Sequence, residues 1–329
     1  MTSADHEPDV VRTEHVSRSF KKIAALREID LGVQRGEIFG LVGPDGAGKT
    51  TMLRLLAAVM APTSGRVTVA GHDSVRDAEQ IRAHVGYMPQ KFSLYGDLSV
   101  RENLEFYADI FGVHGAERQR RFQQVLSFAH MSDITDRRAK QLSGGMQKKL
   151  GLACTLIHRP DVLLLDEPTT GVDPVSRREF WDLLTELHIQ GATIVVSTPY
   201  MDEAERCNRI GLLFKGQLIE CGTPREIKAM VKGQVMEFHP DRLESARALL
   251  ARQPGALEVQ VYGTLLHVFV EDAAVVWPRL HAVLTEADIK IDAVRLIQPR
   301  MEEAFISLIR GRQTAENRTQ VAEDQARAE

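Results

Sequence analysis

Residues 43–50 read GPDGAGKT and lie between an apolar run, IFGLV, and a helical one, TMLRLLAAVM. The G-x-x-x-x-G-K-[ST] spacing in a strand–loop–helix context constrains this chain more than any other feature. Glycines let backbone N–H groups converge on an anion, and the start of the following helix adds partial positive charge. Gly43, Pro44, Asp45, Gly46, Ala47, Gly48, Lys49 and Thr50, with Thr51 beside them, are therefore assigned to a bound nucleotide. Lys49 is expected on the β- and γ-phosphates and the Thr50 hydroxyl on Mg²⁺. Asp45 either faces solvent or weakens an anion site; the residues leave both open.

A second element matches the first. VLLLDEP at 162–168 is a continuous apolar strand, as a parallel sheet covered on both faces requires. Asp166 ends it, where an unpaired carboxylate is costly unless it serves Mg²⁺. Glu167 then faces the attacking water as general base. VVRTEHV, IDLGVQRGE, IFGLVG and TIVVS read as further strands. Residues 98–130, MQKKLGLACTLIH and REFWDLLTELHIQ read as helices, with TMLRLLAAVM running to Pro62. This alternation predicts an α/β class with a parallel core, interrupted by an inserted helical stretch at about 91–160.

The pattern changes after Gly222–Thr223–Pro224. QVMEF, a helix DRLESARALLA, a hairpin LEVQV–LHVFV, a helix AVVWPRLHAVLTE, a strand IKIDAVRLI and a helix MEEAFISLIR follow. A βαββαβ order predicts a small split-βαβ domain over 233–310, after a first domain over 9–225. The polar tail 311–329 is expected to be disordered.

Composition narrows the function classes. Charged residues are 26% and hydrophobic ones 43%, with a net charge of −4, so no basic field draws the chain onto nucleic acid. The basic cluster ERQRRF at 117–122 reads as a solvated helix face. Three cysteines without CxxC spacing imply reduced thiols, and the histidines lack metal-ligand spacing. No run is long enough to cross a bilayer, and the polar N-terminus lacks a signal pattern, so the cytoplasm is the expected location.

LSGGMQ at Leu142–Gln147 stands between the phosphate loop and VLLLDEPTTGVDP. With these motifs in this order, residues 10–225 closely resemble the nucleotide-binding cassette of ABC transporters. The resemblance implies a P-loop ATPase fold binding ATP and Mg²⁺, with two cassettes closing head to tail. Ser143, Gly144 and Gly145 of one cassette then grip the γ-phosphate held by the other. Gln90 matches the glutamine that senses Mg²⁺ and the attacking water, which adds it to Thr50 and Asp166 as metal residues and to Glu167 as a catalytic one. Phe20 matches the aromatic that stacks on adenine, and Asp173 the aspartate communicating between sites. Taken alone, Phe20 also reads as a core residue, Gln90 as a surface residue, Asp173 as a helix start and SGG as a flexible cap. MQKK, SLYGDL and the small second domain resemble ABC-2 type exporters, which implies separate polytopic permease subunits and a position on the cytoplasmic face of the membrane. Tyr95 and its neighbours would meet that permease.

One residue departs from the family pattern. TIVVSTPYMDEAER at 193–206 has Pro199 where the resemblance implies a switch histidine. Proline offers neither a side-chain donor nor a backbone N–H. Three readings follow: a transport ATPase with one degenerate site, a regulatory nucleotide-binding subunit, and an ABC ATPase acting on nucleic acid or ribosomes. The single compact cassette and acidic balance disfavour the last.

Overall fold

A computed structural model describes residues 9–91, 94–231 and 233–310. The predicted tail at 311–329 lies outside them. Contacts divide the chain into two units between Thr223 and Pro224.

Six strands form the central sheet of the first unit, in the order Gln217–Gly222, Arg209–Phe214, Ile38–Val42, Thr193–Thr198, Val162–Asp166, Val85–Met88. All neighbours are parallel except the Gln217–Gly222 edge, which returns antiparallel. Every residue of Ile38–Val42, Val162–Asp166 and Thr193–Thr198 is buried, because helices or a second sheet cover both faces. Phe39, Leu41, Val162, Leu164 and Val195 share one core with Met52 and Leu55 of the helix Lys49–Leu56 and with Val11, Val16, Leu26 and Ile29. Those last four belong to an antiparallel sheet of Val11–Phe20, Ile23–Val33, Ser64–Val69 and His72–Asp73. Burying each large side chain contributes about 1.5–3 kcal/mol.

Parallel pairing decides where the chemistry can go. Val42 pairs with Thr198, Asp166 with Ser197, and Met88 with Leu165. The C-terminal ends of four adjacent strands are therefore level, and the phosphate loop, Gln90, Glu167 and Pro199 all leave from that edge. Open α/β sheets place ligands there.

The inserted stretch folds as Val100–Ile110, Gly115–Phe128 and Gly144–Leu156 around Leu104, Ala108, Phe122, Leu126, Leu150 and Cys154. The predicted helical run 98–130 is thus two helices, parted at Gly112 with φ 65°. Ser99 starts the first with a reciprocal cap, its hydroxyl accepting from Glu102 N and its N–H donating to the Glu102 carboxylate. The basic cluster does not simply face solvent: Arg118 pairs with Asp109 at 2.7 Å, while Arg121 donates to Ile157 O and to Glu117.

Other expectations need correction. The helix after the phosphate loop ends at Leu56, because Ala58 turns to φ 50°, rather than running on to Pro62. Residues 66–88 and 209–222 drew no assignment from sequence, yet with Ser64–Gly65, which read as a turn, they hold five strands and the helix Ala78–His84. Short runs flanked by turns carry too little periodicity to announce themselves.

The second unit holds an antiparallel sheet in the order Ala256–Tyr262, Leu265–Val270, Gln234–Phe238, Arg295–Ile297, the strand order of a split βαβ sandwich. Leu243–Leu250 and Ala273–Glu286 pack with Met236, Phe238, Leu266 and Val268. The strand expected over IKIDAVRLI shrinks to Arg295–Ile297, joined upstream only by an isolated bridge from Ile291 to Pro240. A closing helix covers 301–310. From it Glu303 reaches the fully buried His267 Nδ1 at 2.5 Å, and Glu237 meets Nε2 at 3.0 Å. Leaving a buried hydrogen-bonding group without its partner costs about 1–3 kcal/mol. Glu303→Ala is expected to lower hydrogen-exchange protection of Gln234–Phe238 and Leu265–Val270 by about 10²-fold. Unchanged protection would show that the cluster does not hold this unit together.

Candidate active site

The phosphate loop is shaped by one glycine above all. Gly48 has φ 111°, and a Cβ there would meet Ala25 O at 2.7 Å, so only glycine fits where the loop turns into the helix Lys49–Leu56. Lys49 is 3% exposed, and its Nζ donates to Gly43 O at 2.7 Å and Pro44 O at 3.0 Å. The ammonium also pairs with Glu167 Oε1 at 3.1 Å. Lysine and glutamate thus lie together at the mouth of the loop, both buried.

Asp166 and Glu167 are consecutive, and in a regular strand their side chains would point to opposite faces. Glu167 instead adopts φ 45°, a sparsely populated conformation for a non-glycine residue. The turn breaks the alternation and brings both carboxylates to the phosphate loop. Glu167 N donates to Ser197 Oγ at 3.0 Å and to Ser197 O at 3.2 Å.

Asp166 Oδ1 accepts from Thr50 Oγ1 at 3.1 Å and from Ser197 Oγ at 2.8 Å. Its other oxygen, Oδ2, is buried without a hydrogen-bond partner. A buried, unpaired carboxylate oxygen is costly without a cation or donor, so this donor set fits a hard divalent ion. Glu167 Oε2 accepts from Gln90 Nε2 at 2.8 Å and Thr170 Oγ1 at 3.3 Å. Five of the residues assigned from sequence therefore meet: Lys49, Thr50, Gln90, Asp166 and Glu167.

Gly43 and Pro44 join this cluster through the carbonyls that accept from Lys49. Phe20 is 41% exposed with the Arg18 guanidinium 4.8 Å from its ring centroid, which excludes the core reading. Asp45 and Gly46 are exposed, Ala47 is buried, and Pro44 and Thr51 are half-buried. Ser143 is exposed and caps the helix Gly144–Leu156, its hydroxyl accepting from Met146 N at 3.3 Å. A Cβ on Gly145 would lie 2.4 Å from Ser176, so this helix start packs against the start of Pro174–Ile189. Asp173 caps that second helix and accepts from Val175 N and Ser176 N, which holds its carboxyl below the usual range, the Ser176 bond contributing most. No hydrogen bond or ion pair joins Phe20, Ser143–Gly145 or Asp173 to the Lys49–Glu167 cluster among the described residues.

Pro199 follows a strand end tied to the loop, since Gly43 N donates to Thr198 O at 3.3 Å. The Thr198 hydroxyl donates to the buried Glu203, which also accepts from Thr169. Tyr200 N donates back to Thr198 Oγ1, and Arg177 lies 4.2 Å from the Tyr200 ring centroid. Ser197, Thr170, Glu203 and Lys148 escaped the sequence reading. Ser197 left a trace there as a hydroxyl ending an apolar strand, and Lys148 as part of MQKK, but neither was given a role at the site.

A phosphate loop, a paired Asp–Glu and parallel strands level at one edge define a P-loop nucleoside triphosphatase. The family model described as "ABC transporter" matches residues 26–170. The chain is 42% identical over 296 residues to the probable multidrug ABC transporter ATP-binding protein YbhF of Escherichia coli, covering 89% of this chain and 50% of that one. It is 37% identical to the Nod factor export ATP-binding protein I of Cupriavidus pinatubonensis, covering 83% and 84% of the two chains. The dimeric post-hydrolysis structure of the ATP-binding cassette MJ0796 bound to ADP and Pi matches with TM-score 0.60 at 28% identity, over 65% of this chain and 98% of that one. The chain belongs to the ATP-binding proteins of ABC transporters, a family of ATPases, and it spans about half the length of the first of these relatives.

Proposed function

We propose that this chain binds Mg²⁺ and ATP at the loop Gly43–Thr50 and hydrolyses the γ-phosphate to drive export through a separate ABC-2 type membrane partner. The observation that carries this reading is Glu167, held between Lys49 and Gln90 beside an Asp166 oxygen with no donor. Thr50, Asp166 and Gln90 would hold the ion, which supplies charge neutralisation at the phosphates. Lys49 orients the phosphates, Glu167 takes the proton of the attacking water, and Gln90 keeps that carboxylate in place. Phe20 offers an exposed face for the adenine, and Ser143–Gly145 with Asp173 serve the facing cassette. Names of relatives, multidrug transport and Nod factor export, support export as the direction. No helix among the described residues is long and apolar enough to cross a membrane, which fits a subunit docked at the cytoplasmic face on a polytopic partner. Detergent extraction of the tagged chain from its native cells should recover such a partner; recovery of ribosomes or DNA instead would overturn the reading.

Pro199 favours a slow or degenerate site. It follows Thr198, whose carbonyl accepts from Gly43 N of the phosphate loop, at the place where the family resemblance implies a side-chain donor for the γ-phosphate. Pro199→His is expected to raise ATP turnover of the purified chain roughly tenfold, about 1.4 kcal/mol of barrier. Unchanged turnover would show that the histidine's task is already met by other groups here.

A further inference from the structure

Lys148 lies in the second turn of the helix Gly144–Leu156, the helix that starts with the LSGGMQ residues. Its side chain is half-buried, and its Nζ donates to the backbone oxygen of Gln90 at 3.1 Å. Gln90 in turn donates its side-chain amide to Glu167 Oε2 at 2.8 Å. The same residue is thus held by its main chain on the helical subdomain and by its side chain on the carboxylate.

Among the described residues, no ladder pair reaches Gln90. The ladder between Val85–Met88 and Val162–Asp166 ends at the pair Met88–Leu165, and the next residue, Pro89, has no N–H to extend it. An aliphatic stem lying along a surface would account for part of the burial of Lys148. It does not account for an ammonium aimed at the main-chain carbonyl of the residue whose amide reaches Glu167. Burial pulls the Lys148 ammonium down from its ordinary range, while the charges of Asp166 and Glu167 act to keep it protonated.

We propose that Lys148 is a positioning residue for hydrolysis: it fixes the Gln90 main chain so that the Gln90 amide stays on Glu167. The helix bearing Ser143–Gly145 thereby helps set whether the base is in place. This inference rests on reading Glu167 as the general base.

The test compares wild type, Lys148→Met, Lys148→Arg, Gln90→Ala, the double variant Lys148→Met/Gln90→Ala, and Glu167→Gln in the full chain. Steady-state ATP turnover is read beside the Kd of a fluorescent ATP analogue with Mg²⁺. Lys148→Met is expected to lower kcat about tenfold with Kd changed less than about twofold, the signature of an interaction that matters only to the chemical step. Lys148→Arg should recover at least about half of the turnover, since guanidinium keeps the charge and a donor. Adding Lys148→Met to Gln90→Ala should cost little beyond Gln90→Ala alone, because Lys148 acts through Gln90 and effects along one path are not additive. Unchanged kcat in Lys148→Met, a matching loss of nucleotide affinity, or losses that multiply would each overturn the proposal. Misfolding of Lys148→Met would appear as lost affinity and so counts against it. Wild-type turnover in Glu167→Gln would instead remove the general base itself and this inference with it, whereas an inactive Glu167→Gln beside a normal Lys148→Met sinks the Lys148 role alone.

Discussion

Glu167→Gln is expected to lower ATP turnover by about 10²–10⁴-fold, the range typical of a positioned general base, while nucleotide still binds. Glutamine matches glutamate in shape but cannot take a proton from water. It also cannot satisfy the same partners. Glu167 accepts on both oxygens, from Lys49 on one side and from Gln90 and Thr170 on the other. The amide of glutamine must turn its N–H₂ toward one of those donors, and Gln90 has to rotate its own amide to accommodate it. Lys49 keeps its bonds to Gly43 O and Pro44 O, so the phosphate loop stays intact. Phosphate release measured beside binding of a fluorescent ATP analogue separates the two effects. Turnover within about threefold of wild type would remove Glu167 from the chemistry.

Lys49→Met acts on the other side of the same pair. The ammonium is 3% exposed and Glu167 5% exposed, so its removal leaves a carboxylate with its cation gone and two loop carbonyls without a donor. Breaking one side of a buried ion pair typically destabilises by about 3–5 kcal/mol. Nucleotide affinity should fall by about 10²-fold or more, near 2.7 kcal/mol, through loss of a charge-assisted phosphate contact. In Lys49→Met/Glu167→Gln, part of the stability should return, because the stranded charge is gone, but affinity should not. Equal Kd values for wild type and Lys49→Met would exclude the loop as the phosphate site.

Much of the site could be read from local sequence because its parts are local devices. A loop that converges backbone N–H groups must be spelled in glycines, with the lysine and threonine at fixed offsets. Asp166 and Glu167 end a run of leucines that only a doubly covered strand explains. The helix cap at Ser143 and the apolar face of Gly144–Leu156 are equally local. Phe20 shows the limit of this kind of reading: an aromatic residue in a strand pattern is consistent with the core, and only the fold put it on the surface. The strand expected over IKIDAVRLI shows it again, since alternation is present but a continuous ladder forms over only its last part, with one isolated bridge upstream.

Sequence alone determined the class of fold, the phosphate loop, the Asp–Glu pair and the presence of a proline, Pro199, right after the strand TIVVST. Tertiary structure decided which of these residues touch. Gln90 and Glu167 are 77 positions apart, as are many unrelated pairs, and meet because two neighbouring parallel strands end level. Ser197 reaches Asp166 through a register set by the whole sheet, and Lys148 reaches Gln90 only because a helix from the inserted subdomain lies beside the strand end. Such contacts depend on register and packing between distant segments, and no local pattern of residue types encodes that distance.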